Sequence, residues 1–126
     1  MPGSILIVDD DPNMRELLRL HLSNAGYRVA VARDGLEAGY GLLRSRPDLI
    51  ISDVNMPHLD GFEFIAAMRD EVQFRRIPVI FLTTAADAEG RGKELGAVGY
   101  LAKPVRADKL LSLVAEHVVG GRVPIG

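Results

Sequence analysis

A chain of 126 residues supports one domain, and its 48% hydrophobic content is enough for a core without covalent staples. The absence of cysteine excludes disulfides, thiolate metal sites and cysteine nucleophiles, and a formal net charge of −2 argues against nucleic-acid binding by bulk electrostatics. Met1-Pro2-Gly3-Ser4 lacks the basic start and long apolar region of a signal peptide, and no apolar run approaches the ~20 residues of a membrane span, so a soluble cytoplasmic domain is expected.

The first apolar run, about residues 4–8, predicts a strand and ends in Asp9-Asp10-Asp11. Helix one follows, with Asp11 as N-cap rather than a third ligand, Pro12 at its first position, and Met14, Leu17, Leu18, His21 and Ala25 on one face. Gly26 ends it. Arg28–Ala32 predicts strand two, and Asp34-Gly35 turns into a helix that ends before Pro47. Strand three, Asp48–Ser52, runs into Asp53 and a loop to Asp60. The next helix reaches about Asp70, with Phe62, Ile65 and Met68 inward. Pro78–Leu82 and Val98–Ala102 predict strands four and five, and the last helix buries Leu110, Leu111, Val114 and Val118 before stopping at Gly120-Gly121. Glycines at 39, 41, 90 and 92 weaken the helices after strands two and four.

Short buried-type strands alternating with helices imply an α/β fold with a parallel sheet covered by helices on both faces, and a doubly wound sheet of order 2-1-3-4-5 is the expected arrangement. Ligands of such sheets sit at the carboxyl edge between strands one and three, where the winding reverses. Those are the strands that end in Asp9-Asp10 and Asp53. Strand four ends in Thr83-Thr84, and strand five in Lys103-Pro104. Converging carboxylates raise one another's pKa unless a cation neutralises them, and Mg2+ suits oxygen ligands beside a phosphoryl group. Lysine and threonine supply a point charge and a hydroxyl for phosphoryl oxygens, and an aspartate there can attack phosphorus.

Val8-Asp9-Asp10, Ser52-Asp53-Val54-Asn55-Met56-Pro57 with Asp60-Gly61, Pro78 through Thr83, and Gly99-Tyr100-Leu101-Ala102-Lys103-Pro104 together resemble a response-regulator receiver domain, from about Ser4 to Val119. The resemblance implies a flavodoxin-like (βα)5 fold acting as a two-component signalling switch rather than a turnover enzyme. It implies Asp53 as phosphoacceptor from a phosphohistidine, Mg2+ held by Asp9, Asp10, Asp53 and the Asn55 backbone carbonyl, Thr83 and Tyr100 as switch residues, and Lys103 as the phosphoryl partner with a cis Lys103-Pro104 bond. Its partners would be a sensor histidine kinase or phosphotransfer protein and, through the face of helix four, strand five and helix five, a downstream protein or fused output domain, with no direct nucleic-acid or membrane contact. Asn55 and Ala85 occupy the two positions that tune hydrolysis of the phosphoryl group in this reading, and Ala85 offers no side-chain group to orient water. Ala97-Val98-Gly99 lacks the acidic residues of receivers that dimerise on that face.

The expected organisation is a receiver over residues 1–119 and a tail or linker start over 120–126, stand-alone or cut from a longer regulator. His21 is read as a packed helix residue, and His58 and His117 as solvated; Thr84 could narrow donor access. Two other classes compete. One is a Mg2+ phosphohydrolase, disfavoured because Asn55 stands where such enzymes carry a second aspartate. The other is a phosphorylation-independent interaction module, which retention of Asp9, Asp10, Asp53, Thr83 and Lys103 argues against.

Overall fold

The computed structural model describes residues 3–56, 59–84 and 88–118. Along the described chain run β1 (Ser4–Val8), α1 (Pro12–Asn24), β2 (Arg28–Ala32), α2 (Gly35–Arg44), β3 (Leu49–Asp53), α3 (Gly61–Arg69), β4 (Val79–Thr83), α4 (Ala88–Glu94), β5 (Gly99–Ala102) and α5 (Ala107–His117). Every strand pairing is parallel, and the order is β2-β1-β3-β4-β5. This is the two-sided parallel sheet that the alternating pattern predicts, in the flavodoxin-like order that the receiver resemblance implies.

The inner strands β1, β3 and β4 read as near-continuous apolar runs because helices cover both faces, whereas the edge strands β2 and β5 are partly exposed. Side chains alternate across the sheet, so Ile5, Ile7, Ile51 and Leu82 pack with Leu18 and Leu22 of α1 and Leu110 and Val114 of α5. Leu6, Val8, Ile50 and Phe81 face Ala38 and Leu42 of α2 and Phe64, Ile65 and Met68 of α3. Ile51, fully buried in the central strand, anchors one of these layers; cutting it to alanine costs about 2–5 kcal/mol.

Three helix faces differ in part from the periodicity reading. Leu17 is 42% exposed, while Leu22 is fully buried beside Leu18. Met14 and Ala25 pack partly against the same layer, so of the expected apolar residues it is Leu17 that turns outward. In α3 the buried face is Phe64, Ile65 and Met68, whereas Phe62 is only partly covered and meets Phe81 edge-on at 5.0 Å. In α5, Leu111 is likewise only partly buried. Val119 and the expected tail 120–126 lie outside the described residues.

Local chemistry sets the helix starts. Asp11 caps α1 by accepting from the Asn13 amide, with Pro12 in the first turn. Asp60 and Glu63 cap α3 reciprocally in a capping box. Past the end of α1, Gly26 takes φ 99°, a left-handed conformation that favours glycine.

Candidate functional site at the carboxyl edge of the sheet

β3 and β4 each extend one residue beyond the sequence expectation, so Asp53 and Thr83 are themselves the last strand residues. The ladders pair Asp53 with Leu82 and Thr83 with Ala102, which fixes both backbones rigidly. Asp9 and Asp10 follow the last residue of β1, the neighbour of β3. One carboxylate oxygen from each of Asp9, Asp10 and Asp53 lies within 4.8 Å of the others. Asp9 and Asp53 are buried, and Asp10 is exposed.

Hydrogen bonds hold the carboxylates in place. Asp9 Oδ1 accepts from the Asp11 amide at 2.9 Å, and Arg15 Nη1 donates to the Asp9 carbonyl at 2.8 Å. The Asn55 amide donates to Asp53 Oδ1 at 3.3 Å. Lys103 Nζ lies 2.9 Å from Asp53 Oδ2 and 3.6 Å from Asp9 Oδ2. The Lys103 amide donates to the Thr83 carbonyl at 3.1 Å, and the Lys103–Pro104 bond is cis.

Burial pushes the Asp9 carboxyl up to about 6; the nearby Asp53 and Asp10 charges add to this, and the Asp11 amide and Lys103 oppose it. On Lys103 burial opposes the charge, but the contacts with Asp53 and Asp9 outweigh it and raise its pKa. Asp9 Oδ2 is buried with no hydrogen-bond partner among the described residues. An orphaned carboxylate oxygen among three carboxylates fits a hard divalent cation, and an all-oxygen donor set suits Mg2+ better than a soft metal.

Tyr100 sits on β5 and stacks on Phe81, with ring centroids 6.4 Å apart. Its ring also lies over α4: a Cβ on Gly92 would come within 2.5 Å of the Tyr100 hydroxyl. The interior glycine that reads as a weak helix position therefore makes room for this ring. Gly61 is a second case, since a Cβ there would stand 2.1 Å from the Asp53 carbonyl oxygen. In sequence Gly61 showed as a turn signal and as part of the receiver motif, Gly92 only as a weak helix position, and nothing marked Arg15. Thr84 is exposed. His21 and His117 belong to the last turns of α1 and α5, away from this edge. His117 is half-buried rather than solvated, its Nε2 3.9 Å from Glu116. His58 and Ala85 lie outside the described residues.

Residues 5–115 match the family of the response regulator receiver domain. The chain belongs to that family. As a receiver domain it is a two-component signalling domain rather than a classical enzyme. It is 36% identical over 116 residues to the response regulator Rre1 of Synechocystis, covering 90% of this chain and 50% of that one. The receiver thus spans about half the length of Rre1 and of several other curated relatives. Among solved structures it resembles the chemotaxis protein CheY4 of Vibrio cholerae, with 39% identity, a TM-score of 0.88, and coverage of 93% of this chain and 99% of CheY4. It also resembles the receiver domain of the sensor histidine kinase PA1611 of Pseudomonas aeruginosa, at 30% identity, a TM-score of 0.84, and coverage of 93% and 98%. In that structure a magnesium ion is coordinated in the active-site cleft. No helix among the described residues of this receiver is long and apolar enough to cross a membrane.

Proposed function

We propose that the domain is a cytoplasmic, phosphorylation-dependent switch that accepts a phosphoryl group on Asp53 from a phosphohistidine of a sensor histidine kinase or phosphotransfer protein. The reading is carried by one observation: Lys103 Nζ stands 2.9 Å from Asp53 Oδ2 in an edge pocket shared with Asp9 and Asp10. An Asp53 oxygen attacks phosphorus, the phosphorus–nitrogen bond breaks, and the donor imidazole departs. The product is an acyl phosphate on Asp53, which water later returns to carboxylate and inorganic phosphate.

Asp9, Asp10, Asp53 and the Asn55 carbonyl would hold Mg2+, a reading supported by the magnesium ion in the cleft of the PA1611 receiver. When bound, it neutralises charge on the transferring group. Lys103 follows the negative charge from the carboxylate to a phosphoryl oxygen, and Thr83 donates its hydroxyl to another. Movement of Thr83 is coupled to the Tyr100 ring over Gly92, which carries the signal to the face of α4, β5 and α5. A downstream protein or a fused output domain reads that face.

The test is intact mass after incubation with acetyl phosphate, with and without Mg2+, for the wild type and Asp53→Asn. A single phosphoryl adduct that needs Mg2+ and disappears in the variant supports the reading. An adduct that persists in Asp53→Asn overturns it.

A further inference from the structure

The face of α2 turned away from the sheet is apolar. Leu36, Tyr40 and Leu43 recur at helical spacing and are 69%, 61% and 71% exposed. Beside them a groove of about 630 Å3 runs between α2 and α3, with Leu59, Phe64 and Met68 in its walls. Neither the phosphoryl chemistry nor the face of α4, β5 and α5 uses these residues. Contiguous apolar surface of this kind marks an interaction site.

We propose that this face binds a second copy of the chain, α2 against α2, antiparallel about a two-fold axis that passes between Gly39 and Tyr40. Leu36 then faces Leu43 of the second copy, and Tyr40 faces Gly39 of the second copy. Gly39 suits the role, because a Cβ built there meets nothing within 4 Å. The position is open to a ring from outside, and nothing among the described residues explains a glycine that costs about 1 kcal/mol against alanine in a helix.

Charge agrees with the ridge and the notch. α2 carries Glu37 in its first turn and Arg44 in its last. Antiparallel pairing sets each acidic end beside a basic one and opposes the two helix dipoles. Self-complementarity of ridge, notch and charge is what an isologous contact requires, and it favours a copy over an unrelated helix. Leu36, Tyr40 and Leu43 are few beside the roughly 20–30 residues a side of a standard interface. The dimer is therefore weak, with a dissociation constant on the order of micromolar or above.

The chain has no cysteine, so introduced ones report cleanly. The probes are Leu36→Cys and Leu43→Cys, alone and mixed, under mild oxidation without Mg2+ or phosphodonor, which separates this test from that of phosphorylation. Positions 36 and 43 lie about 10 Å apart along the helix. A disulfide needs Cα atoms within about 7 Å. The expected result is a cross-linked dimer in the mixture and little in either variant alone, with Ser112→Cys on α5 as the background. In sedimentation the wild type shifts toward dimer as concentration rises, and Leu43→Glu weakens that shift roughly tenfold or more. Self-cross-linking of each variant as readily as the mixture overturns the antiparallel register. A wild type that stays monomeric to its solubility limit overturns the interface altogether.

Discussion

The ammonium of Lys103, just past β5, reaches over the end of β4 to stand 2.9 Å from the Asp53 carboxylate at the end of β3. The contact joins two strands that are not neighbours in the sheet, and Thr83 ends the strand between them. At 2.9 Å it is closer than the 3.6 Å approach of the same ammonium to Asp9, so Asp53 is the carboxylate that Lys103 chiefly neutralises.

Replacing Lys103 with methionine removes a cation from among carboxylates that would ligate Mg2+. Mg2+ affinity should rise about threefold to tenfold, because the competing positive charge is gone. Phosphoryl transfer to Asp53 should fall by roughly tenfold or more, since the charge on the transferring group loses its partner. Calorimetry for Mg2+ and intact mass for the adduct check both arms. A parallel loss of both would mean that the lysine only supports the fold.

Asp9 gives the pH dependence its sign. Its folded pKa is about 6, against about 3.9 in an unfolded chain. Between these values the folded chain keeps a proton that the unfolded chain has released. The Asp9 contribution is therefore favourable below pH ~4 and is lost as pH rises through 6, by an amount on the order of 3 kcal/mol. Metal-free wild type should lose stability relative to Asp9→Asn across that window. Stabilisation by Mg2+, which needs the ionised carboxylate, should be larger near pH 7.5 than near pH 5. Thermal melts with Mg2+ or EDTA at both values decide it.

Two glycines should respond oppositely to alanine. At Gly61 the new methyl would stand 2.1 Å from the Asp53 carbonyl oxygen and 3.0 Å from the Val54 Cα, backbone atoms that cannot step aside. The expected loss is about 2–4 kcal/mol, with weakened Mg2+ binding because the Asp53 backbone must shift. At Gly90, on the exposed side of α4, a methyl meets nothing within 4 Å. There alanine should add about 0.5–1 kcal/mol through helix propensity. Urea denaturation of the two variants measures both signs.

Arg69 fastens the opposite edge of the sheet. Its guanidinium donates to the carbonyls of Leu95 at 3.1 Å and of Arg75 and Ile77 at 2.7 Å. Burial holds its pKa below the ordinary value, yet it remains charged because arginine starts so high. Arg69→Ala leaves those carbonyls without their donor and should cost roughly 2–3 kcal/mol. Arg69→Lys should recover less than half, since an ammonium cannot span three carbonyls with a planar fork. Equal stability of the lysine variant and the wild type would rule this account out.

By itself the sequence determined the strands and the chemistry at their ends, and its receiver motifs carried the expectation of their order. Short Ile-Leu-Val runs can be buried only in a two-sided sheet, and residues that follow such runs must emerge at one edge. Asp9, Asp10, Asp53, Thr83 and Lys103 were legible for that reason. Leu18, Ile65, Met68, Leu110 and Val114 are buried as the periodicity expects, and tertiary structure alone decided the margins of each helix face. Leu17 and Leu22 both fit a helical stripe, and only the width of the sheet's contact line chooses between them. It also decided the close approaches: Gly61 against the Asp53 carbonyl, Gly92 under Tyr100, and Arg15 and Arg69 on backbone carbonyls. Most of these contacts close loops of six to eight residues, with Arg69 to Leu95 spanning 26, and no periodicity of a helix or strand encodes which backbone atom will lie opposite across a loop.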